Sequence, residues 1–283
     1  MNVILAHGYL GFRSILGFQY FNGVQAWLES RYPVKVVATQ VDPLQGVIFR
    51  GRQLHRQVLV ALGQTPPATP EEGQIAGRLE AGKPVHLIAH SMGSLDCRYL
   101  VSPGNPENLG GTVVTTLSTI GGPHRGTPVA DLLYADAEGK DLPPAEATLA
   151  RYLRRVLKVL GISLAGLSDL QTSFAAEFNR QYTDHPGVRY FSVAGGGKEH
   201  GLLPVSAVMY RNWKYIHDQT GEVNDGAVPL SSAKWGEFNP DLWMTDHPGL
   251  IGHDADCCGE APKYFDYLAR YGQLVEQLLK LEP

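Results

Sequence analysis

Short apolar runs recur along the chain at Val3–Ala6, Lys35–Val41, Val85–Ala89, Val113–Ser118 and Val188–Ala194, and read as strands. Between the first four lie stretches of helical pattern, Phe21–Ser30, Phe49–Leu62 and Met92–Leu100, and a further one, Tyr264–Leu281, follows the last loops. Parallel strands cannot be joined by a tight turn, so strands alternating with helices predict an α/β fold with a mostly parallel central sheet flanked by helices. Pro66-Pro67 and the stretch Pro103–Asn108 break the pattern at the surface. The rhythm fails between Pro128 and Arg180, a segment far longer than an ordinary crossover and largely helical in pattern. There Leu149, Leu153, Val156, Leu157 and Leu160 form an apolar stripe, while Arg151, Arg154, Arg155 and Lys158 are basic. No internal repeat or low-complexity tract is visible. The whole of 1–283 is expected to form one domain, with 128–180 inserted as a helical cap.

Candidate chemistry begins where the third apolar run ends abruptly, in Ala89-His90-Ser91-Met92-Gly93. A buried strand that turns sharply into a helix lifts the residue at the turn clear of the sheet in a strained conformation, the geometry of a nucleophile elbow. Strand and helix backbones nearly touch there, so the residues two before and two after the serine must be small. Ala89 and Gly93 are, although glycine is commoner at the first of these places. The first strand runs into His7-Gly8-Tyr9-Leu10-Gly11-Phe12, a glycine-spaced loop that reads as an oxyanion loop. Acyl transfer builds negative charge on a carbonyl oxygen, and a preorganised N–H aimed at it lowers the barrier by about 3–4 kcal/mol. The backbone N–H groups of Tyr9 and Met92 are the natural donors. His7 and His90 read as structural hydrogen-bonding residues, with the His90 side chain expected to point away from the substrate face.

An acid candidate, Asp225, sits in Asn224-Asp225-Gly226 where a loop leaves a strand end, and a plain surface turn is the competing reading of those three residues. The base candidate is His247, in Asp246-His247-Pro248-Gly249-Leu250-Ile251-Gly252-His253, preferred over His253. The order Ser91, Asp225, His247 is that of α/β-hydrolase triads and differs from the orders used by the two major serine-protease folds.

Together these segments resemble the true bacterial lipases of the α/β-hydrolase superfamily, the group that includes the pseudomonad-type and thermophilic bacillar-type enzymes. The likeness covers most of the chain. It rests on the loop at His7–Phe12, the elbow continued as Ser94-Leu95-Asp96-Cys97-Arg98-Tyr99, the segment Ile120-Gly121-Gly122-Pro123-His124-Arg125-Gly126-Thr127-Pro128, the Asp225 and His247 loops, and the closing run Tyr264–Tyr271. Ser94 and Cys97 depart from it, where a glycine and an alanine or serine are more usual. The resemblance implies an α/β-hydrolase fold and a serine hydrolase that cleaves acylglycerol or other lipid-like esters through an acyl-enzyme, with no cofactor needed for the chemistry. A polyester depolymerase or an acyltransferase would share the same triad, and a binding module that has lost its chemistry is the remaining alternative. Residues inserted after this strand of the fold lie above the nucleophile, so 128–180 is expected to be a lid that meets a lipid–water interface, against the alternative of a helix packed permanently on the core. Resembling lipases brace the histidine loop with Ca²⁺ held by carboxylates and backbone carbonyls. Asp254 stands where bacillar-type relatives supply one ligand, but Gly249 replaces the usual acidic residue. A tightly bound calcium is therefore not expected, and Asp254 serves equally to cap a turn.

Composition changes this picture little. A 283-residue chain that is 43% hydrophobic can bury a sizeable core, and a formal net charge of −4 without a basic tract gives no reason to expect a nucleic-acid partner. Its three cysteines cannot all pair within the chain; Cys257 and Cys258 are adjacent and Cys97 falls in the helix after the elbow, which favours reduced thiols. No apolar stretch reaches the roughly 18–20 residues that span a bilayer. The oxyanion loop begins at His7, which leaves no room ahead of it for a signal peptide. The expectation is a cytoplasmic protein, or a secreted one if this chain is a mature form.

Overall fold

The computed structural model describes residues 1–11, 14–15, 18–159, 165–198, 203–253 and 265–282. In chain order these form strand β1 (Asn2–Ala6), the hairpin β2 (Ser14–Ile15) and β3 (Phe18–Gln19), helix α1 (Val24–Arg31), β4 (Lys35–Ala38), α2 (Val47–Ala61), the short α3 (Pro70–Gly73), β5 (Val85–His90), α4 (Gly93–Val101) and β6 (Val114–Ile120). After β6 come α5 (Pro128–Ala137), α6 (Pro144–Val159), a 3-10 turn (Ala165–Leu170) and α7 (Thr172–Gln181). The chain then continues through β7 (Arg189–Val193), α8 (Tyr210–Thr220), α9 (Leu230–Ala233), β8 (Glu237–Phe238), a second 3-10 turn (Gly249–Ile251) and α10 (Tyr267–Leu279).

Six strands form one sheet in the order β4-β1-β5-β6-β7-β8, parallel at every pairing. Side chains alternate across a strand, and the sequence exploits this by being apolar on both sides. Ile4, Ala6, Val37, Leu87 and Ala89 face one layer, closed by Leu54 and Val58 of α2 and by Leu100 and Val101 of α4. Val3, Leu5, Val36 and Ile88 face the other, closed by Val24 and Leu28 of α1 and by Tyr271, Leu274, Val275 and Leu278 of α10.

The five predicted strands are present within a few residues of their expected ends. So are the four predicted helices, although Tyr264 itself lies outside the described residues. Several elements escape the hydrophobic pattern, among them the short β2, β3, α3 and α9, and for two others the reason is physical. β8 has only two residues, and α8 buries Ile216 alone, too little to leave a helical stripe.

Between β6 and β7 stand α5, α6, the first 3-10 turn and α7, in the predicted insertion. Leu149, Leu153 and Leu157 of α6 are half-buried, Ala150 is buried, and Tyr152 is 45% exposed. Arg154 bonds Asp136 of α5 across 2.8 Å. Leu160 lies outside the described residues. Among the described residues no helix is long and apolar enough to cross a membrane.

Candidate active site

Ser91 stands at the turn from β5 into α4 with φ at 56°, a left-handed conformation costly for a residue bearing a Cβ. Its N–H is held by Ile120 O at 3.1 Å. A Cβ on Gly93 would lie 2.6 Å from both Ala6 O and His7 O, so the helix after the serine presses against the end of β1. That approach is why a small residue is needed there.

The loop after β1 is clamped from below. Gly8 O accepts from Gly11 N–H (3.1 Å), from an Arg50 guanidinium nitrogen (3.2 Å) and from His7 Nδ1 (2.8 Å). In a trans peptide the N–H points opposite the C=O. Fixing the Gly8 carbonyl on this side therefore aims the N–H of Tyr9 the other way. His7 Nε2 accepts from Val41 N–H at 3.0 Å, which makes Nδ1 the protonated nitrogen. Burial, with the Arg50 charge nearby, pushes the His7 pKa down to about 3, so the ring stays neutral and structural. Met92, the second expected donor, is the N-cap of α4, where first-turn N–H groups have no intrahelical acceptor.

Arg50 carries no sequence motif, yet it organises this corner. Fully buried in α2, it donates to His7 O and Asp42 O at 2.8 Å each and pairs with Asp96 of α4 at 2.7 Å. Its position offers the one clue: with Val47, Gly51, Leu54 and Val58 it lies on the buried stripe of the helix, where an arginine needs partners.

Asp225 and His247 meet. Asp225 Oδ2 accepts from His247 Nδ1 at 2.7 Å, and Oδ1 accepts from the N–H groups of Ala227 (2.9 Å) and Val228 (2.8 Å). Asn224-Asp225-Gly226 is thus a turn, and the turn delivers a buried carboxylate to the histidine. Two glycines at strand ends make the space. A Cβ on Gly121, after β6, would lie 3.1 Å from Asp225 Oδ2 and 3.3 Å from His247 Nδ1, and one on Gly195, after β7, would lie 2.6 Å from Asp225 Cβ. Asp246 secures the loop next to His247: its buried carboxylate accepts from Ser206 N–H (2.8 Å) and Gly249 N–H (3.2 Å).

His253 is otherwise engaged. Its Nε2 donates to the carbonyls of Gln19 (2.7 Å) and Tyr20 (3.0 Å), tying the histidine loop to the segment after β3. His90 departs from expectation. It does not point away from the site but packs against the His247 ring, with centroids 4.5 Å apart, because strand alternation puts it on the same side of β5 as Ile88, where Tyr20 and the histidine loop also pack. Tyr9, Leu10, Tyr20, His247, Pro248 and Ile251 line a cavity of about 340 Å³ beside it.

Asp254, Cys257 and Cys258 lie outside the described residues, and Cys97 is a buried free thiol. A Cβ at Gly249 would lie 2.0 Å from Thr245 Oγ1, so a larger residue there would have to displace Thr245. Among the described residues no group of three or more His, Cys, Asp or Glu could hold a metal ion.

No protein-family model matches the chain. Curated relatives are similar over most of its length. Triacylglycerol lipase 2 of Saccharomyces cerevisiae is 29% identical over 256 residues, which cover 90% of this chain and 68% of the relative. A triacylglycerol lipase of Vibrio cholerae is 28% identical over 275 residues, covering 88% and 80%. Among solved structures, the Staphylococcus hyicus lipase superposes with a TM-score of 0.68 at 18% identity, over 99% of this chain and 95% of its own. The mature Bacillus licheniformis lipase gives 0.62 at 21%, over 88% and 86%. The two structures show the fold, that of the lipase α/β-hydrolases, and in sequence the chain is similar to triacylglycerol lipases over most of its length.

Proposed function

We propose that the chain hydrolyses carboxylic esters of acylglycerols or other lipid-like esters, with Ser91 as nucleophile, His247 as general base and then acid, and Asp225 orienting the imidazole. The observation that carries this reading is a serine held at φ 56° in a chain whose His247 Nδ1 is engaged by a buried carboxylate at 2.7 Å. With Nδ1 committed to Asp225, Nε2 is the nitrogen left to take the Ser91 proton as Oγ attacks the ester carbonyl carbon. The former carbonyl oxygen gains the negative charge, stabilised by the N–H groups of Tyr9 and Met92. Collapse of the tetrahedral intermediate breaks the bond to the alcohol oxygen, which leaves with the proton from Nε2. Water, deprotonated by the same nitrogen, then releases the acid and restores Ser91. That the relatives are named triacylglycerol lipases supports acylglycerols as the substrate class.

A fluorophosphonate probe tests the assignment. Stoichiometric labelling of Ser91, located by peptide mass spectrometry, is expected together with hydrolysis of p-nitrophenyl esters over a range of acyl lengths. A folded protein that takes no label, or takes it elsewhere, refutes it.

Residues 128–180 act in this reading as a cap over the site. In support, Leu167 and Leu170 of the 3-10 turn and Phe174 and Phe178 of α7 pack in one cluster with Tyr9 and Met92. The half-buried leucines of α6 are then the surface offered to lipid. Changing both Leu153 and Leu157 to Ser removes burial worth about 1.5–3 kcal/mol per leucine at an interface. Activity on emulsified long-chain esters should therefore fall more than activity on short soluble ones. Equal proportional losses in the two assays would make the stripe permanent core.

A further inference from the structure

The oxyanion loop and the histidine loop come from opposite ends of the chain, and beside Ser91 they are joined by two side chains that take no part in the chemistry above. Tyr20 follows the hairpin of β2 and β3. Its hydroxyl oxygen accepts from Gly8 N–H at 3.0 Å and is hydrogen-bonded to Nδ1 of His90 at 2.8 Å. The His90 ring in turn packs on the His247 ring, the planes inclined at 39°. Both Tyr20 and His90 are buried. His90 Nε2 is buried and has no well-formed hydrogen bond among the described residues. Leaving a buried nitrogen in that state is unfavourable, because its lost contact with water is not replaced. A residue present only to fill space would more cheaply be apolar.

The consequence for Gly8 is specific. Its C=O is held by Gly11, Arg50 and His7, and its N–H by Tyr20, so both peptide groups flanking its Cα are fixed. The next N–H along, that of Tyr9, is then aimed by a residue that is itself bonded to the ring against the base.

We propose that Tyr20 and His90 are positioning residues for the hydrolysis: they couple the Gly8–Tyr9 peptide to the His247 imidazole, so that oxyanion donor and base keep one mutual geometry. The inference rests on His247 being the base. Small displacements matter in such a site, because a shift of about 1 Å can cost on the order of 100-fold in rate.

Tyr20→Phe deletes one oxygen and keeps the ring. On a short soluble p-nitrophenyl ester, kcat is expected to fall about 10- to 100-fold while KM changes by less than about two-fold. The low-field proton resonance of the His247–Asp225 hydrogen bond is expected to shift or broaden in the same variant. His90→Phe keeps a ring beneath His247 but cannot bond Tyr20, and should lose as much. His90→Asn offers Tyr20 an amide in place of Nδ1 and should be the more active of the two; this pair also carries the test if Tyr20→Phe does not fold. A Tyr20→Phe protein with kcat within about two-fold of wild type and an unmoved resonance overturns the proposal. So does His90→Phe outperforming His90→Asn. If wild type is labelled at Ser91 by the fluorophosphonate and Tyr20→Phe remains fully active, only the positioning role falls. If wild type takes no label, the hydrolase assignment falls first.

Discussion

Ser91→Ala is expected to reduce kcat by about six orders of magnitude while leaving the protein folded. The effect is that large because, in the proposed mechanism, the Ser91 oxygen is the atom that becomes acylated, and neither His247 nor the proposed oxyanion donors can substitute for it. Residual catalysis from binding and the oxyanion hole alone would remain, on the order of 1,000-fold over water. Alanine fits the backbone as serine does, with a Cβ at the same φ of 56°, so no new strain enters. The measurement is turnover of a p-nitrophenyl ester by purified variant whose circular dichroism matches wild type. Near-native turnover would remove Ser91 from the mechanism.

His247→Ala should be about as damaging, because members of a triad act as a unit and single losses do not add. The informative control is six residues away. His253 Nε2 donates to Gln19 and Tyr20 carbonyls, so its imidazole holds a loop and is not available to take a proton from serine. His253→Ala is expected to keep substantial activity and to lose some thermal stability. Paired turnover measurements with the opposite ranking would transfer the role of base to His253.

The residues legible in the sequence share a property: each is specified by its immediate neighbours. An elbow needs small residues around Ser91, a turn needs the glycine after Asp225, and His247 sits in a loop punctuated by Pro248 and Gly249. The strands were legible for the same reason, since burial on both faces makes them apolar without a break. Residues recruited across the fold left no such mark. Arg50 reaches His7 O from 43 positions away and Tyr20 reaches His90 from 70. Asp246 was within a recognised motif, but its partner Ser206 lies 40 positions distant, so nothing local announced its anchoring role. The role of His90 is not legible locally, because the direction of its side chain depends on strand alternation and what it meets there depends on loops that arrive much later in the chain.

Gly121 and Gly195 set a limit on how this protein can change over generations. Asp225 and His247 are bounded by positions at which only a hydrogen atom fits, so a single added methyl group can displace either without altering any residue of the proposed triad. A gene copy could lose its activity through either glycine and still encode an intact Ser91, Asp225 and His247. The half-buried surface of α6 is under no comparable restraint, so variation there is the easier route by which descendants could come to accept different esters.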